Sequence, residues 1–318
     1  MSKGWNRVKI FMIAVLCALN LFLLYMIREQ ARESEYLPEV SVQQIVKLLE
    51  KDGITIKDGA LSRKKATSSL YGGTMGASYY TDTASAVSGS AVSLSFPSPS
   101  GVVLSMENGD RCAFDGGFQI RYEAAGFSAL LEEKGFFETD YTAAGINTML
   151  SQLTAREERA LTAAVESFLL RANGMTDRSA PYPVGYELLC LGKDDVSGLQ
   201  VFICVQTVRG MRVANLCSAI AVLDGEVIGM SGEWCFAEIK TTYSAPLYDQ
   251  IHILYSVKER ILSEGDAAPK MITSMSLGYA VYYHADTEAF YMIPVWNITT
   301  DVGKTYLYNS LNGALYTD

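Results

Sequence analysis

Two histidines, His252 and His284, and six cysteines at positions 17, 112, 190, 204, 217 and 235 are the side chains of this chain best suited to proton transfer, nucleophilic attack or metal ligation. A Ser-His-Asp arrangement needs a nucleophile within hydrogen-bond reach of a histidine. His252 falls on an expected helix, and His284 precedes Ala285-Asp286 at an expected strand end. Gly229-Met-Ser-Gly-Glu233 has part of a nucleophile-elbow pattern but lacks its second glycine in place. It also lies between strands, where an elbow needs a strand-to-helix turn, so a hairpin is the better reading. Ser62-Arg-Lys-Lys65 matches S-x-x-K, yet no S-D-N or K-T-G accompanies it, and Lys304-Thr-Tyr fails the latter.

The remaining polar groups give no catalytic spacing. Two isolated histidines and scattered cysteines do not form a metal-ligand pattern. Asp194-Asp195 and Glu132-Glu133 read as solvated surface, and there is no phosphate-cradling glycine loop. Asn297-Ile-Thr299 matches a glycosylation acceptor, but the chain has a bacterial look and the pattern carries little weight. The expectation is a protein that is not an enzyme, with no cofactor and no metal. Cys190, Cys204, Cys217 and Cys235 sit in apolar, strand-like stretches, no C-x-x-C occurs, and an odd number lies beyond the N-terminal apolar run. Buried free thiols are favoured, with one or two bridges as the alternative.

The elements that would position these residues follow from periodicity. Ser41–Asp52 has apolar residues at helical spacing and ends at Gly53. Segment 66–100 is rich in Ser, Thr, Gly and Ala, carries only Asp82 as a charge, and reads as a flexible insertion more than as core. Residues 101–124 alternate as a hairpin around Glu107-Asn-Gly-Asp110, followed by a strand at 118–122 and a short helix from Phe127 to Gly135. From there the order repeats. A helix capped by Thr154 leads into strands at 186–191, 199–205, 219–223 and 227–239. A helix at Tyr248–Leu262 leads into strands at 275–283, 289–298 and 305–308. The fold class expected is α+β, with two tandem helix-on-antiparallel-sheet units at 151–242 and 243–318 behind an α+β domain at 28–150.

Ahead of all this lies a run without charge from Ile10 to Ile27. It is just long enough to cross a hydrocarbon core as a helix. Lys3, Arg7 and Lys9 precede it with no acid among them, so residues 1–9 are expected inside and residues 28–318 outside the cell membrane. Arg-Glu-Gln-Ala-Arg after Ile27 has no small-x-small cleavage pattern, and Cys17 lies mid-run, so an uncleaved single-pass anchor is favoured over a signal peptide or lipoprotein. Ile13, Leu16, Cys17, Asn20, Leu23 and Leu24 fall on one side of that helix. Two readings stand for Asn20: a hydrogen bond to another membrane helix, or one to its own backbone or to water. The chain has 26 basic and 35 acidic residues, a formal charge of −9. That argues against nucleic acid and against adhesion to anionic polymers by bulk charge.

Two stretches resemble a known family. Trp5-Asn-Arg-Val-Lys-Ile-Phe-Met-Ile-Ala-Val-Leu-Cys-Ala-Leu-Asn-Leu-Phe-Leu-Leu-Tyr25 is similar to the anchor of the YycI proteins. Leu277-Gly-Tyr, Pro294-Val-Trp-Asn and Tyr308-Asn-Ser-Leu-Asn-Gly313 resemble the tail of the YycH/YycI-like domain. The resemblance covers the anchor and the last 170 residues or so. It implies an accessory protein of Gram-positive bacteria, held outside the membrane by one helix. Such proteins associate with each other and with the sensor histidine kinase WalK of the WalK/WalR two-component system for cell-wall homeostasis. Their transmembrane helices contact the kinase. No catalytic residues come with the family. The expected function is regulation of a sensor kinase, with a YycH-like protein as second partner. The alternative is a PepSY-like binding module for envelope peptides or wall fragments, and an anchored hydrolase is a third reading.

Overall fold

The computed structural model describes residues 12, 15, 16, 18–26, 36–62, 65, 68–99, 101–138, 153–172, 184–236, 239–244, 247–265, 268–284 and 286–316. In chain order the elements are α1 (Glu39–Lys51), β1 (Thr55–Ile56), β2 (Ser69–Thr74), α2 (Tyr79–Ser88), β3 (Val92–Pro97), β4 (Val102–Met106), β5 (Arg111–Phe114), β6 (Gln119–Glu123) and α3 (Ser128–Glu133). The second half continues with α4 (Ala155–Ala172), β7 (Val184–Lys193), β8 (Gln200–Val208), β9 (Met211–Leu223), β10 (Glu226–Glu233), β11 (Lys240–Ser244), α5 (Gln250–Leu262), β12 (Met271–His284), β13 (Ala289–Thr300) and β14 (Thr305–Asn309). The fold is α+β, built on one large, mixed, curled sheet.

One section of that sheet is antiparallel throughout, in the order β7-β8-β9-β10-β6-β5-β4-β3. Its β9–β10 turn needs left-handed backbone at Asp224 and Gly225, which is the conformation an Asp-Gly hairpin supplies. Side chains alternate across the strands, so each face finds its own cover. Phe202, Cys204 and Ile220 pack with Val165, Phe168 and Leu169 of α4 and Val87 of α2. Val201, Ile203 and Ala221 face Leu131 of α3 and Phe136. α4 starts with a reciprocal cap: the Thr154 hydroxyl and backbone N–H both donate to the Glu157 carboxylate, and the Glu157 N–H donates back to the Thr154 oxygen.

The other section is built on the long β12–β13 hairpin. β2 pairs with the first part of β13 and β14 with its last part, while β1 runs parallel to the start of β12. Helices α1 and α5 cover one face, where Ile45, Leu49, Leu254, Val257 and Ile261 meet Trp296, Ile298 and Tyr308. The Asp249 carboxylate caps α5 by accepting from the Ile251 and His252 N–H groups. On the opposite face Ser274, Ser276, Tyr282 and Tyr291 are exposed.

The two sections share β9. Its Val213 lies opposite Tyr279 of β12 in the parallel pairing that links them. Around this seam Tyr71, Phe118, Leu216, Tyr279 and Phe290 form a separate core. Two carboxamides complete the main-chain pairing there. Asn215 donates to the Val281 carbonyl at 3.0 Å and accepts from the Val281 N–H at 2.8 Å. Gln206, fully buried, does the same for the main chain of Cys235, at 2.8 and 3.0 Å.

Helix followed by antiparallel strands does occur twice, as α4 with β7–β10 and α5 with β12–β14. Segment 66–100 differs from the expected insertion. It holds β2, α2 and β3, and Tyr71, Tyr79, Ala84 and Val87 are buried. The physical reason is that Tyr71, Met75, Tyr79, Ala84 and Val87 each reach a core, though Leu94 and Phe96 stay exposed, while its small residues allow close approach. At Gly72 a Cβ would stand 2.8 Å from the Phe290 carbonyl oxygen. Residues 28–150 do not hold a sheet to themselves, because β2 pairs into the β12–β13 section and β6 pairs with β10.

At the N-terminus Met12, Val15, Leu16 and residues 18–26 are helical and exposed. Ile13 and Cys17 of the expected contact face lie outside the described residues, as do Ile10 and Ile27. Among the described residues no helix is long and apolar enough to cross a membrane.

Removing the Asn215 carboxamide leaves the buried Val281 N–H without its acceptor. Asn215→Ala is expected to lower stability by about 1–3 kcal/mol, read as a drop in the urea midpoint. An unchanged midpoint would show that the seam does not depend on this side chain.

Candidate functional site

A cleft of about 500 Å³ opens where α2, the β4–β5 turn, α4 and the β9–β10 turn meet. Asp110 lies at its floor, only 5% exposed. One carboxylate oxygen accepts from the Ser88 hydroxyl at 2.8 Å, the Asn108 amide at 2.9 Å and the Tyr122 hydroxyl at 3.0 Å. The other accepts from the Ala125 N–H at 2.8 Å. Four donors satisfy the buried charge, and they pin three segments of chain together: the end of α2, the β4–β5 turn and the end of β6. Burial first, and the Asp110 charge second, push the Tyr122 phenol far up, so it stays a donor. Arg171 stands at the rim, donating to the Val87 carbonyl at 3.2 Å and lying over the Phe168 ring at 5.8 Å. This arrangement is a saturated structural pin with a polar rim.

The second cleft, about 330 Å³, runs along the helix-free face of the β12–β13 hairpin, with the β8–β9 hairpin as one wall. Its floor is laid out by register. Ser274 stands opposite Thr299, Ser276 opposite Asn297, and Gly278 opposite Val295. Glycine is required at 278 by space, since a Cβ there would lie 2.7 Å from the Arg212 carbonyl oxygen. In the wall Arg212 and Glu187 neutralise one another at 2.6 Å. The Asn297 side-chain oxygen is buried and meets no hydrogen-bond donor. A buried amide oxygen without a partner is costly to the fold.

The residues singled out from sequence are not brought together. His252 is exposed on α5 and paired with Asp249 at 2.8 Å, while His284 is exposed at the end of β12. Neither lines either cleft. Ser231 lies inside β10, paired on both sides, in agreement with a strand and not an elbow. The Ser62 N–H donates to Gln250 at 3.1 Å, and Arg63 and Lys64 lie outside the described residues. Cys112, Cys190, Cys204, Cys217 and Cys235 are not in disulfides, and burial pushes the thiols of 112, 190 and 204 up, away from the reactive thiolate. Among the described residues no group of His, Cys, Asp and Glu could hold a metal ion. Asp194 departs from the surface reading. It accepts from the Ser197 hydroxyl and N–H and pairs with Lys134 at 3.0 Å.

Sequence reasoning missed Asp110 and the polar floor of the second cleft. Thr299 stands out in the sequence only in a glycosylation pattern, and Asn297 only there and in the Pro294-Val-Trp-Asn stretch. The available signal was the alternation Ser274-x-Ser276-x-Gly278 facing Asn297-x-Thr299, a polar stripe on one side of two strands.

No protein-family model matches the chain, and no curated protein matches it. Among solved structures it is similar to an uncharacterized protein from Eubacterium rectale, determined at 1.45 Å resolution. The two share 13% sequence identity, with a TM-score of 0.46, over 83% of this chain and 90% of the other.

Two outcomes follow from these contacts. Asp110→Ala strands the Tyr122 hydroxyl and the Ala125 N–H, so a loss of about 3 kcal/mol or more is expected in urea denaturation. Ser88→Ala, which removes one donor of several, should cost about 1 kcal/mol. The second outcome concerns acid. The Ser197 hydroxyl first, and then Lys134, hold the Asp194 carboxyl down at about 2. Its folded value is below its unfolded one, so its stabilisation is complete above about pH 4 and fades as pH falls towards 2. Asp194→Asn should flatten the acid limb of stability in that window, and an acid limb identical to that of the native chain would refute the assignment.

Proposed function

We propose that this chain is a membrane-anchored extracytoplasmic protein that regulates a sensor histidine kinase of cell-wall homeostasis, in the manner of the YycH/YycI-like accessory proteins. The observation that carries this reading is the charge-free run from Ile10 to Ile27 with Lys3, Arg7 and Lys9 before it. Its Trp5-to-Tyr25 pattern resembles the family's anchor, and the segments at 277–279, 294–297 and 308–313 resemble its tail. Finer organisation follows the same reading: an anchor at 10–27 and, beyond it, helix-on-sheet units that offer docking surface to the kinase and to a YycH-like partner.

A regulator shifts an equilibrium only by its difference in affinity for two states. Within the anchor that difference would come from Asn20, with Ile13, Leu16, Cys17, Leu23 and Leu24 packing beside it. An interhelical amide bond is worth about 0.6–2 kcal/mol, which is about 3- to 30-fold in association. Asn20→Leu is expected to weaken helix–helix association by that factor, measured by energy transfer between labelled chain and labelled kinase in liposomes. Replacing residues 10–27 with an unrelated anchor should alter kinase output in cells. Kinase output unchanged by that exchange would sink the membrane-helix part of the proposal.

A second reading, favoured by the groove of about 330 Å³ along the β12–β13 hairpin, makes the exterior a binding module for envelope peptides or wall fragments.

A further inference from the structure

We infer that the open edge of β12, between its pairings with β1 and β9, is a peptide site, which takes a short, extended, uncharged segment of another chain as an added strand. The inference rests on the reading of the exterior as a binding module and is independent of the kinase reading.

On one edge β12 pairs with β13 from Ile272 to His284. On the other edge β1 pairs only as far as Ile272, and β9 joins only at Tyr279. Among the described residues no strand lies against Thr273–Gly278 on that second edge. Which main-chain groups face it follows from two fixed points. Val281 gives both its N–H and its C=O to Asn215, on the β9 side. Successive residues of a strand alternate in the edge they face, so Tyr279, Leu277 and Met275 turn the same way as Val281. The Ile272 carbonyl, which accepts from the Lys57 N–H at 2.9 Å, turns that way too, because the register with β13 shifts between Ile272 and Ser274. At Val281 the fold supplies a carboxamide in place of a strand. Among the described residues no side chain does so for Met275 or Leu277, and their outward N–H and C=O groups are a template for a strand.

The ends of the gap set the length of the guest. From Ile272 to Tyr279 the strand advances about 23 Å, at about 3.3 Å per residue. β1 closes one end. At the other, a Cβ on Gly278 would stand 2.7 Å from the Arg212 carbonyl oxygen, so β9 is already in contact there. A segment of about five residues fits between them. The cleft of about 330 Å³ runs along this edge, with Ser274, Ser276 and Leu277 on one side and Gly210, Met211 and Arg212 on the other. Side chains of an added strand alternate between its faces. One set stands beside Ser274 and Ser276, where small polar groups fit. The other stands beside Met275 and Leu277, which pack on the core under α1 and α5, and there an apolar side chain extends that core. Arg212 and Glu187 in the wall neutralise one another at 2.6 Å, so no charge on the guest is called for. In this mode of recognition main-chain hydrogen bonds supply affinity and alternate side chains supply specificity. A sugar has no row of N–H and C=O groups at strand spacing to match the edge.

The test uses the full chain in detergent micelles and the blocked pentapeptide acetyl-Ser-Val-Ser-Val-Ser-amide, titrated by calorimetry. Binding with a dissociation constant of about 1 mM or tighter is expected. The same peptide, N-methylated at every main-chain amide, cannot donate to the edge and should not bind. Amide hydrogen exchange at Met275 and Leu277 should slow about tenfold with the peptide at about ten times its dissociation constant. Leu277→Pro removes an outward N–H and leaves the hydrogen bonds to β13 in place, so it should weaken binding about tenfold or more. The exchange measurement on the native chain covers the case in which Leu277→Pro does not fold. Equal binding of the N-methylated peptide overturns strand addition. Exchange that slows elsewhere but not at Met275 and Leu277 overturns the site. In both cases the binding-module reading stands. If the pentapeptide is silent the inference is overturned, and the disaccharide of N-acetylglucosamine is then titrated as a wall fragment. Its binding keeps the binding-module reading, and its silence overturns that reading as well.

Discussion

Strand β9 serves both sections of the sheet, and the fold depends on how its surroundings keep every main-chain group paired as the chain passes from one section to the other. From Ala219 to Val222 it is buried between β8 and β10. At Val213 it meets β12 in place of β10, while β8 stays paired with it at Met211 and Arg212. Between those regions the strands part, and an unpaired backbone group in a dry core is costly. Asn215 and Gln206 resolve this by using side-chain amides in place of a neighbouring strand. Each carboxamide offers one donor and one acceptor, the same pair that a peptide group offers. Close approach of the strands adds a second constraint. At Gly232, whose φ of 134° is one that side chains rarely adopt, a Cβ would fall 2.4 Å from the Cys217 carbonyl oxygen.

The same accounting separates the two clefts. In the larger one, the buried Asp110 charge has four donors and asks for nothing more. Its surroundings are fixed, and its role is to hold α2, the β4–β5 turn and the approach to α3 in one place. In the smaller one, the side chains of the floor are neutral and laid out in register, a charged pair stands in the wall, and the Asn297 oxygen is buried without a partner. Satisfied polar groups stabilise a fold; the buried Asn297 oxygen, which meets no donor, costs it free energy instead.

Legibility in the sequence followed the range of the interactions. Helices α1, α4 and α5 were evident because their apolar residues recur at a period that local sequence displays, and Thr154 with Glu157 marks the start of α4. Hairpins at Asn108-Gly109 and Asp224-Gly225 were evident because left-handed turns need those residues. Segment 66–100 was not, since its burial comes from partners far along the chain: Tyr71 from Tyr279, and Tyr80 from Phe114. The first half of β9, from Met211 to Ser218, was missed for the same reason. Its apolar residues face a seam between sections, and no period of two is visible there. Asp110 was hidden because a buried carboxylate and a turn carboxylate look alike in sequence. The groove was hidden because serine and threonine on a strand's open face look like ordinary solvated surface until register shows which residues stand opposite.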